Sequence, residues 1–361
     1  GAGGMEYPTL ITALTFSHIP AGLRVPEMVI IHEFGHNFWY HLVASNEFEE
    51  AWLDEGINSF SECLIVDDYY GPVGSVIDLG GIKINDRQLQ RGQYISLPDI
   101  DVTVQNSWDF YSFSSYGIGT YYKPSLMLQT LRNYLGKEVM QNIMRTYFER
   151  WKFKHPKTQD FVNVANEVSD KDLNWFFDQA LYTNATLDYT VSHVFSRELK
   201  EDKGYDFTLS VTDDTTKVNK EKNVSDSPDN SKNRAEKNLD STERKKEKLY
   251  ESGIYIRRLG DFIFPVEVEA VFADGDTVRE TWDGKGLWKE FRYVKPVKMI
   301  YATVDPDSKI LIDINITNNS KTIKTQYIGV NKLSIRWLYW MQFLLDQPDF
   351  LNLFSIFANV N

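Results

Sequence analysis

A single cysteine, Cys63, stands among 361 residues. No intrachain disulfide can form, so packing or a bound metal must hold the fold. Basic residues are also in deficit: 39 Lys and Arg face 51 Asp and Glu, a net charge of −12. Proteins that grip the phosphate backbone normally present a basic face, so nucleic acid is not an expected partner. No uninterrupted apolar run reaches the roughly 18 residues that a membrane span requires. The opening GAGGMEYPTL has neither a basic n-region nor an apolar h-region, so no signal peptide is visible. The chain reads as a piece whose upstream part is missing. Its compartment stays open, an extracytoplasmic one included.

Aromatic side chains are plentiful, with 20 Tyr, 22 Phe and 9 Trp. At 42% hydrophobic and 25% charged residues, the composition is that of a soluble chain long enough for two cores. Helical periodicity runs through 26–44, 53–70, 118–135, 137–153, 158–168 and 171–181, with a strand expected at 9–16. Pro26 and Glu27 suit a first turn, Gly71-Pro72 a stop, and Pro124 places the start of its helix near itself. After Leu187 the pattern alternates with a period of two, in YDFTLSV, DFIFPVEVEAVF, KEFRYV and KILIDINI, and Asp-Gly turns fall at 274–275 and 283–284. Phe264, Val266, Val268, Ala270 and Phe272 would share one face. The expected fold class is therefore α+β and multidomain. A mainly helical unit occupies 1–187, an antiparallel β-sandwich 188–318, and an amphipathic helical segment 319–361. The stretch 213–248 has almost no apolar residues and mixed charge, so a disordered insertion between two strands is expected there. The C-terminal segment is expected to dock on the body. An interfacial membrane helix is the alternative, disfavoured because the polar face is not rich in Lys and Arg.

Residues 32–56 read HEFGHNFWYHLVASNEFEEAWLDEG. On a helix, residues four apart share a face, so His32 and His36 can reach one ion. Glu33 points differently and suits a base acting on water. Eighteen residues separate His36 from Glu55, which opens the next helix and can complete a ligand set of two histidines and one carboxylate. That set leaves a position open for water, as in catalytic zinc sites. Glu62, seven residues after Glu55, lies on the same helical face and can orient a ligand histidine. Cys63 reads as a buried structural thiol. His18, His41, His155 and His193 lack ligand-like partners.

HEFGH, the eighteen-residue gap and WLDEG resemble the zinc site of the aminopeptidase N and leukotriene hydrolase family, whose catalytic domain is thermolysin-like. GGMEYP (3–8) resembles the family's Gly-x-Met-Glu-Asn exopeptidase motif, and YGIGTYYKPSLMLQTL (116–131) its Tyr-x-Lys-Gly segment. The resemblance covers roughly 1–185. It implies one Zn2+ per chain on His32, His36 and Glu55, with Glu33 as general base and Tyr121 stabilising the oxyanion. Gly3, Gly4, Met5 and Glu6 would bind the substrate, Glu6 through its free α-amino group, and Tyr116 is a second active-site tyrosine. The implied function is removal of N-terminal residues from peptides by attack of a zinc-activated water. The partners implied are peptides with a free N-terminus and the missing N-terminal part of the protein. The motif departs from the family at Tyr7, where Asn is usual, and at Pro124, where Gly is usual. The family's N-terminal β domain, with a second amine-binding side chain, is not in the chain. Two other readings stand beside this one: an endopeptidase on the same site, which would cleave N-blocked peptides equally, and a silent scaffold, from which a ligand or the base is usually lost.

Overall fold

The computed structural model describes residues 3–14, 18–200 and 248–345. The chain opens in a hairpin of β1 (Gly4–Tyr7) and β2 (Leu10–Ala13), with Glu6 paired to Ile11. The expected strand at 9–16 is thus the second arm of a hairpin. Helix α1 (Val25–Gly35) carries Pro and Glu27 in its first turn, where a missing N–H costs nothing and a negative charge meets the helix dipole. It ends nine residues before the expected 44, because Asn37 Nδ2 caps the Phe34 carbonyl at 2.8 Å and the Phe38 and Trp39 amides both fold back onto the Gly35 carbonyl. A short helix α2 (Glu47–Glu50) leads to α3 (Glu55–Tyr70), which buries Ile57, Phe60, Cys63 and Val66 on one side. Gly71 stops it at φ +87°, a conformation that glycine adopts without steric cost.

A small hairpin, β3 (Ile77–Leu79) with β4 (Ile82–Ile84), precedes α4 (Asp86–Tyr94) and α5 (Phe113–Gly117). A wide turn over Ile118–Tyr122 then feeds α6 (Lys123–Leu135), in whose first turn Pro124 sits. Helices α7 (Lys137–Trp151), α8 (Thr158–Ser169) and α9 (Asn174–Tyr182) complete the helical part.

Two antiparallel sheets follow. One orders β5 (Tyr189–Glu198), β6 (Tyr250–Arg258) and β9 (Trp288–Lys295). The other orders β11 (Ser320–Thr322), β10 (Met299–Val304), β7 (Val266–Phe272) and β8 (Thr277–Trp282). Phe264, Val266, Val268, Ala270 and Phe272 are all buried, in one cluster with Val191, Ile254 and Ile256 of the facing sheet. The turn glycines Gly275 and Gly284 have φ of +89° and +71°, as Asp-Gly turns require. YDFTLSV and nearly all of 213–248 lie outside the described residues; the strands flanking that stretch, β5 and β6, pair with each other from Tyr189–Arg258 to Glu198–Tyr250.

Two expectations need correction. KILIDINI (309–316) is not a strand: it straps the helices to the sheets, with the Leu311 amide donating to Thr130 Oγ1 at 3.0 Å and the Ile314 amide to the Leu187 carbonyl at 2.9 Å. Ile310, Leu311 and Ile312 are buried by that strap, which alternation alone cannot distinguish from a ladder. The segment from 319 begins as strand β11 rather than helix, and helix α10 (Ile328–Leu345) starts later. Residues 324–343 are all exposed, so α10 does not dock on the body as expected.

Candidate metal centre and substrate site

Helices α1 and α3 pack side by side and bring three ligand atoms together. His32 Nε2 lies 3.1 Å from Glu55 Oε2, His36 Nε2 3.2 Å from the same oxygen, and the two Nε2 atoms are 3.2 Å apart. The outer nitrogens are held from behind: His32 Nδ1 by Glu62 Oε2 at 2.9 Å, and His36 Nδ1 by Asp54 Oδ1 at 2.6 Å. A carboxylate only accepts, so each Nδ1 carries the hydrogen and each neutral ring turns a bare Nε2 lone pair inward. Two lone pairs and a carboxylate facing one point repel one another unless a cation sits among them. Zinc bonds of ~2.0–2.1 Å in a tetrahedron place ligand atoms about 3.3 Å apart, close to the spacing found. The donor set therefore fits a zinc ion.

Without the metal, protons do the same work. Burial disfavours charged imidazolium, but hydrogen bonds to Glu55 and Glu62 push His32 up to about 10, and those to Asp54 and Glu55 push His36 up to about 11. Burial likewise opposes the Glu55 carboxylate, yet hydrogen bonds from both histidines hold it down at about 2.

The last turn of α1, which bears this site, depends on two close approaches. A Cβ on Gly35 would lie 1.9 Å from Asn58 Oδ1, and Asn58 Nδ2 donates to the His32 carbonyl at 2.6 Å. A Cβ on Gly4 would lie 2.1 Å from Glu33 Oε1, so β1 runs directly against Glu33. Gly3 has no such neighbour and would meet only Leu14, at 3.7 Å. Along β1 the alternation turns Gly4 and Glu6 toward α1 and leaves Met5 and Tyr7 exposed.

Glu33 is buried, and burial raises its pKa against the opposing charges of His32 and His36. Carboxylate oxygens of Glu6 and Glu33 and a ring nitrogen of His36 lie within 4.8 Å of one another. Tyr121 stacks on His32, ring centroids 5.6 Å apart, and its hydroxyl donates to Glu55 Oε1. Burial, then the Glu55 charge, hold that hydroxyl well above its usual range, so it stays a donor. Tyr116 packs edge-on to Tyr121 at 6.3 Å and is pushed up to about 12, chiefly by burial.

Asp54 and Glu47 are the residues that sequence reasoning missed. Asp54 was legible only as the neighbour of Glu55 in WLDEG. Glu47 has no motif, yet its carboxylate, that of Asp54 and that of Glu6 lie within 4.8 Å of one another. Asp54 Oδ2 is buried with no hydrogen-bond partner. A cavity of about 560 Å³ opens beside Glu47, lined also by Tyr40, Ser45, Phe48, His155 and Lys157. The site is thus a two-histidine, one-carboxylate centre with the carboxylates of Glu6, Glu47 and Asp54 clustered next to it.

Residues 2–180 match the model of the Peptidase family M1 domain. These residues, about half of the chain, form a peptidase family M1 domain. It is 24% identical over 152 residues to aminopeptidase N of Lactococcus lactis subsp. lactis, covering 42% of this chain and 18% of that protein. It is 30% identical over 146 residues to human glutamyl aminopeptidase, covering 39% and 14%. The chain thus spans less than a fifth of the length of either relative. Among solved structures, Legionella pneumophila aminopeptidase A in complex with aspartic acid overlaps 79% of this chain and 26% of that one, with a TM-score of 0.47 and 14% identity. An M1 zinc metallopeptidase of Deinococcus radiodurans overlaps 48% and 36%, with a TM-score of 0.35 and 16% identity.

Proposed function

We propose that the chain is a zinc aminopeptidase, with a thermolysin-like catalytic unit over 1–187, a β-sandwich unit beyond it and one zinc per chain. The observation that carries this reading is the convergence of His32 Nε2, His36 Nε2 and Glu55 Oε2 on one point, with Glu6 and Glu33 beside it. Membership of a family whose relatives include aminopeptidase N and glutamyl aminopeptidase supports it.

When bound, zinc supplies a Lewis acid that acidifies water and polarises a carbonyl. The chain's own groups do the rest. Glu33, whose pKa burial raises, takes a proton from the attacking water and returns it to the leaving amine. The Tyr121 hydroxyl, protonated and already turned toward the centre, donates to the oxyanion as it forms. Glu6 pairs with the substrate's α-ammonium group, and Glu47 adds a second carboxylate within reach of the same cation. An internal peptide bond has no such cation, which makes the site an exopeptidase. Glu62 and Asp54 keep the ligand histidines in the tautomer that frees Nε2.

The variant Glu33→Gln tests the assignment. It should retain about one zinc per chain while losing hydrolysis by several orders of magnitude, because Glu33 handles the proton and does not bind the metal. Zinc loss on this substitution, or turnover within tenfold of wild type, refutes the role.

A further inference from the structure

Lys123 is only 5% exposed. Among the described residues no carboxylate pairs with it, and burial alone pushes its amine down to about 8. An ammonium buried without a counter-charge costs stability, so an apolar side chain of the same length would serve packing better. Among the described residues its amine makes one hydrogen bond, from Nζ to the Thr183 carbonyl at 3.2 Å. Thr183 directly follows the last residue of α9, where free carbonyls and the negative end of the helix dipole attract a cation. That end of α9 is itself held. The Thr103 and Val104 amides both donate to the Leu181 carbonyl, and Asn184 Nδ2 donates to the Asp99 carbonyl at 3.0 Å. One turn earlier, Gln179 exchanges hydrogen bonds of 2.7 and 3.2 Å with the backbone of Ile263.

On its other side Lys123 closes the wide turn Ile118–Tyr122, its amide donating to the Ile118 carbonyl five residues back. Such turns are rare and recur at functional sites. Within this one, Thr120 Oγ1 donates to the Tyr116 carbonyl at 2.7 Å. The turn carries Tyr121, which donates to Glu55 and stacks on His32. The backbone of Lys123 therefore belongs to the tyrosine's turn, while its amine is bound to the clamped end of α9. A role in packing and a role in holding Tyr121 make opposite demands. Packing would be served by removing the buried charge, whereas the tether would be lost with it.

We infer that Lys123 is the positioning residue of Tyr121, fixing the tyrosine's turn against the end of α9. The inference rests on the aminopeptidase reading, in which Tyr121 donates to the oxyanion. Lys123→Met keeps the length of the side chain and drops the donor. The variant should keep its zinc and melt no lower than wild type, because a buried, unpaired charge is gone. Its kcat should fall about ten- to a hundredfold with little change in KM, as when a catalytic group is displaced. In a Tyr121→Phe background the same substitution should cost less than about twofold, since the group it acts through is missing. A loss of equal size in both backgrounds overturns the inference. So does an unchanged kcat, a change in KM alone, or a melting point well below that of wild type. Fluorotyrosine incorporated in place of Tyr121 reads the tether without turnover. Its fluorine NMR line should be single in the wild-type background and broadened or doubled with Lys123→Met; equally sharp single lines overturn the inference. Absence of wild-type hydrolysis together with that change in the line would contradict the aminopeptidase reading and uphold the tether.

Discussion

Asp54 Oδ1 lies 2.6 Å from His36 Nδ1, and both side chains are only 1% exposed. This buried contact fixes the hydrogen on Nδ1 and aims Nε2 at the centre, so Asp54 should govern metal affinity without touching metal. Asp54→Ala should weaken zinc binding about 10–100-fold. Asp54→Asn should weaken it less, because its amide oxygen still accepts from Nδ1. Competition against a chelator of known affinity gives both numbers, and unchanged affinity in Asp54→Ala removes Asp54 from the site.

Gly35 exists for Asn58. An added methyl group would meet Asn58 Oδ1 at 1.9 Å, and Asn58 also ties α3 to the His32 carbonyl. Gly35→Ala should therefore destabilise the fold by about 1–3 kcal/mol, the usual cost of overpacking. In the double variant Gly35→Ala/Asn58→Ala the clash is gone, and part of that loss should return. Denaturant melts of the three variants check this; additive losses would show that the two residues do not clash.

Tyr121 donates to Glu55 and stacks on His32, so it can be truncated by one oxygen without disturbing the ring. Tyr121→Phe should lower kcat about 10²–10³-fold with little change in KM, the pattern of a lost transition-state donor. A rise in KM alone would make it a binding residue.

How far the sequence reached is clearest at the helices of the centre. Helix α3 was expected at 53–70 and runs Glu55–Tyr70, because Glu55 and Gly71-Pro72 are local signals that tertiary packing does not override. The other boundary errors have one cause. Helix α1 stops at Gly35 through a side-chain cap by Asn37, and 309–316 gives its backbone hydrogen bonds to Thr130 and Leu187 instead of a strand. Neither partner is visible in a local pattern. The candidate site divides in the same way. Fixed spacing brought out His32, Glu33, His36 and Glu55, whereas Glu47 approaches Glu6 only through the fold. The exposure of α10 also overrules the docking read from its amphipathic pattern, since that pattern suits any apolar surface equally well.

Glu6, with Glu47, is proposed to select a free α-ammonium group beside a zinc-binding centre. The most direct measurement compares hydrolysis of a panel of fluorogenic peptides, each offered with a free and with an N-acetylated terminus, by the zinc-loaded chain. The free peptides should turn over and acetylation should cost at least about a hundredfold, with Glu6→Gln and Glu47→Gln raising KM for the free ones. Equal cleavage of free and acetylated peptides would contradict it.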